Sequence, residues 1–145
     1  MSLNTSFINA QLQYIIEAVG MEVAILSKIY DQKYEVISIV PEVPFVKPGS
    51  IFPLESRLCM EVVRKQRLVH YHYIFSIEEL RDHPVYKAIQ PEAYIGCPVY
   101  ANGELWGTIN TMAFYPKLEG FTDYQLEIVR TAAAEIALSI EERVA

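Results

Sequence analysis

Tyr94-Ile95-Gly96-Cys97-Pro98-Val99-Tyr100-Ala101-Asn102-Gly103-Glu104-Leu105-Trp106-Gly107-Thr108-Ile109-Asn110 is the stretch whose reading decides the fold. Two apolar runs flank Asn102-Gly103. That dipeptide is the strongest short-range signal for a two-residue type I′ hairpin, because both turn positions need φ > 0. Gly107 falls in mid-strand, where glycine weakens a strand and marks a close approach of backbone. Leu105, Gly107, Ile109 and Thr111 share one parity, and Trp106, Thr108, Asn110 and Met112 the other. About ten residues on, Phe121-Thr122-Asp123-Tyr124-Gln125 opens a long helix. Thr122 and Gln125 have the spacing of a capping box, with Phe121 and Leu126 as its hydrophobic staple.

Upstream, a first helix is predicted from Thr5 to Val19, with Ile8, Leu12, Ile15, Ile16 and Val19 on one stripe and Gly20 to stop it. Strands are predicted over Glu22–Tyr30 and Lys33–Val40, joined by Asp31-Gln32. Pro41, Pro44, Pro48 and Gly49 mark a loop. A short helix follows Ser56, with Leu58, Cys59, Val62 and Val63 on one face. Leu68–Ile74 alternates as a strand. Ser76 with Glu79, stapled by Phe75 and Leu80, has the pattern of a second capping box. His83-Pro84 to Gln90-Pro91 is a short helical or irregular piece. Helix, strands, short helices, hairpin and helix make an α+β order. No repeat or linker interrupts it, so residues 1–145 are expected to form one domain. Met1-Ser2-Leu3 is either a cloning remnant or the native start.

The composition narrows the classes of function. The chain has 145 residues, of which 52% are hydrophobic and 21% charged, a packed globule and not a disordered segment. The net charge is −6 and the basic residues form no stripe, so binding to nucleic acid is not expected. No apolar run of about 18 residues or more would span a membrane. The start lacks the pattern of a secretion signal. Cys59 and Cys97 make no disulfide framework, which fits a reducing, cytoplasmic setting.

The hairpin, loop and final helix resemble the end of a GAF domain, where Y-I-G-x-P-V, N-G-x-L-x-G-T and F-T-D recur at this spacing. The resemblance extends over nearly the whole chain, although before about Phe52 it is one of pattern only. It implies an antiparallel sheet with the terminal helices on one face and a pocket under short helices and loops on the other. It also implies a sensory or regulatory module of bacterial type, as in two-component systems, joined to an output domain such as a kinase, cyclase or transcription factor.

On that frame Leu105, Gly107, Ile109 and Thr111 face the helices, Gly107 letting one helix approach, and Trp106, Thr108, Asn110 and Met112 face the pocket. Asn110 must find partners, either a ligand or an internal group. Tyr94, Gly96 and Pro98 also line the pocket by resemblance. Strict hairpin pairing sets Gly96 opposite Ile109, and a bulge near Pro98 would reconcile the two. Tyr71, Tyr73, Tyr86 and Tyr94 fall in the segment that caps the pocket. They are either ligand contacts or half-buried core aromatics. The ligand-binding candidates are therefore Tyr71, Tyr73, Tyr86, Tyr94, Gly96, Thr108, Asn110 and Met112.

No cofactor follows from the residues. Cys59 precedes Met60 and Cys97 precedes Pro98, so the Cys-His pair that tethers a bilin in some GAF domains is absent. Free-methionine-sulfoxide reductases of this fold use three cysteines in set places, and the two here stand in other segments. Of the Asn-Lys-Asn-Phe-Asp-Glu set of cyclic-nucleotide-binding relatives, Asn110, Phe121 and Asp123 are present without a lysine in register. His83 falls where some haem-binding relatives have a histidine. His70 and His72 share a strand face, but no further metal ligand has a supporting spacing. No nucleophile stands beside a base and no phosphate loop occurs, so the chain is expected not to be an enzyme. The last helix carries two apolar sets, one of them alanine-rich. A homodimer through the terminal helices is expected, with Leu12, Ile15, Ala134 and Ala137 at the interface. The reading is a sensor of an unidentified small molecule. A ligand-free dimerisation module and a thiol-dependent redox enzyme are the alternatives.

Overall fold

A computed structural model describes residues 3–44 and 46–144. The expectation for Met1-Ser2 lies outside them. The chain opens with helix α1 (Thr5–Val19). Asn4 caps it by accepting from the Phe7 N–H at 3.1 Å, and Gly20 ends it at φ 80°, its N–H returning to the Ile16 carbonyl. Strands β1 (Val23–Tyr30) and β2 (Lys33–Val40) form a hairpin turned by Asp31 and Gln32, both at positive φ. Then come β3 (Ile51–Pro53), α2 (Met60–Lys65), β4 (Val69–Tyr71), α3 (Glu78–Arg81), α4 (Pro84–Ile89), β5 (Ala93–Ala101), β6 (Glu104–Ala113) and α5 (Asp123–Val144). Among the described residues the strands make one six-stranded sheet in the order β3-β2-β1-β6-β5-β4, antiparallel at every step.

Asn102 and Gly103 turn the β5–β6 hairpin, both at positive φ as their dipeptide predicts. The register then slips between Val99 and Tyr100, leaving Trp106 as the extra residue, and Gly96 pairs with Asn110. The bulge thus exists one residue beyond Pro98. Pro98 itself lies past Val69, where β4 ends opposite Gly96, so β5 has a free edge that tolerates a residue with no N–H. Because of the bulge Trp106 leaves the parity of Asn110 and packs partly on the helix side.

Helices α1 and α5 lie side by side over one face of the sheet. Ile8, Leu12 and Ile15 of α1 and Val129, Ile136 and Ile140 of α5 bury themselves against Leu26, Ile95 and Ile109. Each such side chain contributes about 1.5–3 kcal/mol by leaving water. The opposite face carries a second cluster, in which Tyr34, Val36 and Tyr94 meet Leu58, Val62, Ile74 and Val85 from the middle of the chain.

Three expectations are corrected here, and one strand appears that the sequence did not announce. A β-carbon on Gly107 would overlap the Ser27 carbonyl oxygen, so its close approach is to β1 and not to a helix. β3, from a segment too rich in proline to signal a strand, pairs with β2 along its outer edge. The predicted strand Leu68–Ile74 shrinks to Val69–Tyr71, since Ile74–Ser76 forms a 3-10 turn. The box at Ser76 does not form: the N-cap of α3 is Ile77, and the Ser76 hydroxyl donates back to the Tyr73 carbonyl. The box on α5 does form, the Thr122 and Gln125 side chains each accepting the other's backbone N–H.

Candidate functional site

On the face away from the terminal helices lies a cavity of about 380 Å³, within the range of small-molecule sites. The alternation of the strands builds its floor: Ile25 from β1, Tyr34 and Ile39 from β2, Tyr94 from β5, Asn110 and Met112 from β6. Phe52 of β3, the segment Arg57-Leu58-Cys59 before α2, Val85 and Ile89 of α4, and Val43 and Val46 of the proline-rich loop wall it in. Val23 at the start of β1 and Phe114, just past β6, complete the lining. Pro84 at the first position of α4 suits a short helix, and the imidazole of His83 caps it by accepting from the Val85 N–H at 3.1 Å.

A polar ribbon crosses this floor over four adjacent strands. The Tyr94 hydroxyl donates to Asn110 Oδ1, and Asn110 Nδ2 donates to Thr108 Oγ1 at 2.8 Å and to the Tyr34 hydroxyl at 3.4 Å. Thr108 Oγ1 lies 2.6 Å from Ser27 Oγ. All five residues are almost fully buried. The amide of Asn110 has each of its groups paired within the protein, as a buried amide requires. Burial pushes the phenols of Tyr34 and Tyr94 well above the ordinary tyrosine value. It also pushes the Cys59 and Cys97 thiols up to about 12. All four groups are therefore protonated at neutral pH.

Of the ligand candidates, Tyr94, Asn110 and Met112 line the cavity. The other five do not. Thr108 lies behind Asn110 as its partner. Gly96 is the floor on which Tyr94 rests, since a β-carbon there would overlap the Tyr94 hydroxyl. Tyr71 stacks on Tyr94 at 6.0 Å between ring centroids. Tyr86 turns its hydroxyl to Glu92, 2.7 Å away. Tyr73 precedes the 3-10 turn at Ile74.

Arg57 and Tyr34 escaped the sequence reading. Alternation along β2 could have singled out Tyr34, but nothing local marks Arg57. The three histidines do not converge, and no group of three or more His, Cys, Asp or Glu side chains among the described residues is arranged to hold a metal. The expected dimer contacts also change. Leu12, Ile15 and Ala137 are buried in the chain's own core, because α1 and α5 need those faces for the sheet and for each other. Ala134 is exposed. No helix among the described residues is long and apolar enough to cross a membrane.

The GAF domain model matches residues 6–140. Among solved structures, the chain is similar to the type II free methionine-R-sulfoxide reductase of Thermoplasma acidophilum, with 19% identity, 95% of this chain and 92% of that one covered, and a TM-score of 0.73. The GAF domain of a phosphoenolpyruvate-protein phosphotransferase from Acinetobacter gives 14% identity, 94% and 82% coverage and a TM-score of 0.75. The GAF domain of a two-component sensor histidine kinase from Bacillus halodurans gives 12% identity, 98% and 97% coverage and a TM-score of 0.75. A comparison with curated protein sequences finds no match. The reductase corrects the expectation that this chain is not an enzyme, since the same fold there serves as one. By its family match and its architecture, the chain belongs to the GAF domain family.

Proposed function

We propose that this chain is a sensory domain that binds a small molecule in the cavity over Tyr34, Tyr94 and Asn110 and passes the signal through its terminal helices to an output domain. The observation that carries the reading is the position of the cavity on the sheet. Its floor residues Ile25, Tyr94 and Asn110 alternate along their strands with Leu26, Ile95 and Ile109, which pack on α1 and α5. A displacement of the floor is therefore one residue away from the helices. The ligand acts by population shift, favouring one helix arrangement through differential affinity, and a complete switch needs about 10⁴-fold. Likeness to GAF domains of a sensor kinase and a phosphotransferase supports the output role. We further take residues 1–145 as one domain, working in the cytoplasm and pairing through the exposed side of α5.

A second reading has its own observation. The Asn110 amide is satisfied without any ligand, as a ligand-free dimerisation module would have it. Thermal denaturation against a library of small metabolites separates the two. A ligand of the folded state raises Tm by mass action, and Met112→Trp, which fills the cavity, abolishes that rise while keeping a cooperative melt. A library without stabilisers, or stabilisation retained by the filled variant, overturns the sensory reading.

A further inference from the structure

We propose that the cavity takes a monocarboxylate with an apolar body, its carboxylate held by the Arg57 guanidinium; this rests on the small-molecule reading above and names its ligand class. Most of the lining is hydrocarbon or aromatic carbon. Its polar groups divide into those already committed and one that is not. Asn110 is committed to Tyr34, Tyr94 and Thr108. Among the described residues the Arg57 guanidinium donates only from Nε, to Ser56 Oγ at 3.3 Å. Among the described residues its terminal NH₂ groups meet no protein acceptor, and no carboxylate reaches it within ion-pair distance. The guanidinium lies 4.3 Å over the Phe52 ring, which attracts it without supplying a counter-charge.

The neighbours of Arg57 supply none either. Burial keeps the nearby Tyr34 phenol and Cys59 thiol protonated. A half-buried cation on an apolar wall bears a desolvation cost that an arriving anion relieves. The fork of a guanidinium matches the two oxygens of a carboxylate. The head group is narrowed further by what the lining lacks. Among the described residues no Asp or Glu lines the cavity, so an ammonium or a zwitterion would arrive unpaired. No second Lys or Arg lines it, so a phosphate dianion would be half compensated. The aromatic rings of Phe52, Tyr94 and Phe114 and the aliphatic wall take the apolar body.

Titration calorimetry of the full chain with octanoate, octan-1-ol and octylammonium tests this, repeated on Arg57→Gln and Arg57→Lys. On the wild type octanoate is expected to bind about tenfold or more tightly than octanol, the size of a charge-assisted bond, with octylammonium weakest. Arg57→Gln brings octanoate down to octanol and leaves octanol unchanged, and Arg57→Lys restores part of the preference. Equal binding of octanoate and octanol to the wild type, or a preference that survives Arg57→Gln, overturns the carboxylate assignment and leaves the small-molecule reading standing. Failure of all three probes also overturns the carboxylate assignment, and the metabolite screen above decides the small-molecule reading separately. If Arg57→Gln does not fold, the order of the three head groups on the wild type still decides.

Discussion

Gly96 and Asn110 face each other across the β5–β6 ladder, and together they set the position of the Tyr94 ring. The missing side chain at Gly96 lets the ring lie across β5, so that its hydroxyl reaches Asn110. Gly96→Ala should push the ring aside, leave the Asn110 oxygen unpaired in a dry setting and cost about 1–3 kcal/mol. Urea denaturation measures this, and an unchanged midpoint would show that the ring has room to move. His83 gives a pH signature. Its Nδ1 accepts the Val85 N–H and so must be unprotonated. Desolvation by burial and then the charge of Arg57 hold its pKa below the ordinary 6.5. A histidine depressed in the folded state binds fewer protons than the unfolded chain does. Its contribution is thus fully present above about pH 6.5 and is lost as the pH falls below it. His83→Asn keeps an acceptor at the cap and should flatten the fall of Tm between pH 7 and pH 5; equal slopes in the two proteins would count against the cap. Asn110 was marked in the sequence as a polar amide on the strand face that the family resemblance gives to the pocket, where it must find partners. Arg57 was not, because its meaning depends on Phe52 and on the absence of a partner, both properties of three-dimensional neighbours.

Two capping boxes with one spacing had different fates, and helix length explains the difference. α5 runs for 22 residues and has a long apolar face to bury, so its first turn is worth fixing. α3 has 4 residues and no buried side chain, so nothing holds Ser76 at a cap. Thr122→Ala should therefore cost about 1 kcal/mol, whereas Ser76→Ala should change stability by a few tenths at most. Thermal melts of the two variants compare them directly. The same helix divides the expected interface. Leu12→Ala removes a fully buried side chain and should cost about 2–5 kcal/mol in any oligomeric state. Ala134→Glu should leave the fold intact, since Ala134 shares the outer side of α5 with exposed Leu138 and Tyr124. In sedimentation equilibrium Ala134→Glu should shift a dimer toward monomer. A wild-type monomer at tens of micromolar would end the pairing proposal. Apolar periodicity announced both terminal helices to the residue in α1, yet it does not say whether a wide stripe serves one neighbour or two. In α1 both flanks are taken, by the sheet and by α5.

At the scale of the whole molecule, the layer order came from the resemblance to GAF domains, whereas the terminal helices and both hairpins were legible from their own periods, turn residues and stop signals. β3 was not, since it has only three residues and ends in a proline. The cavity could be anticipated only as a side of the sheet, because its walls come from segments that share no sequence pattern: a loop, a turn before α2 and the short α4. One consequence follows from the strand order. Ser27 and Thr108 touch in the middle of the sheet although they are 81 residues apart in the chain. During synthesis β1 and β2 leave the ribosome as a hairpin whose inner edge has no partner. At about 5–20 residues per second that edge waits roughly 4–16 s for β6. A nascent chain therefore cannot close the centre of its sheet until β6 has been made, and for those seconds the unpaired edge of β1 is open to chaperones and to aggregation.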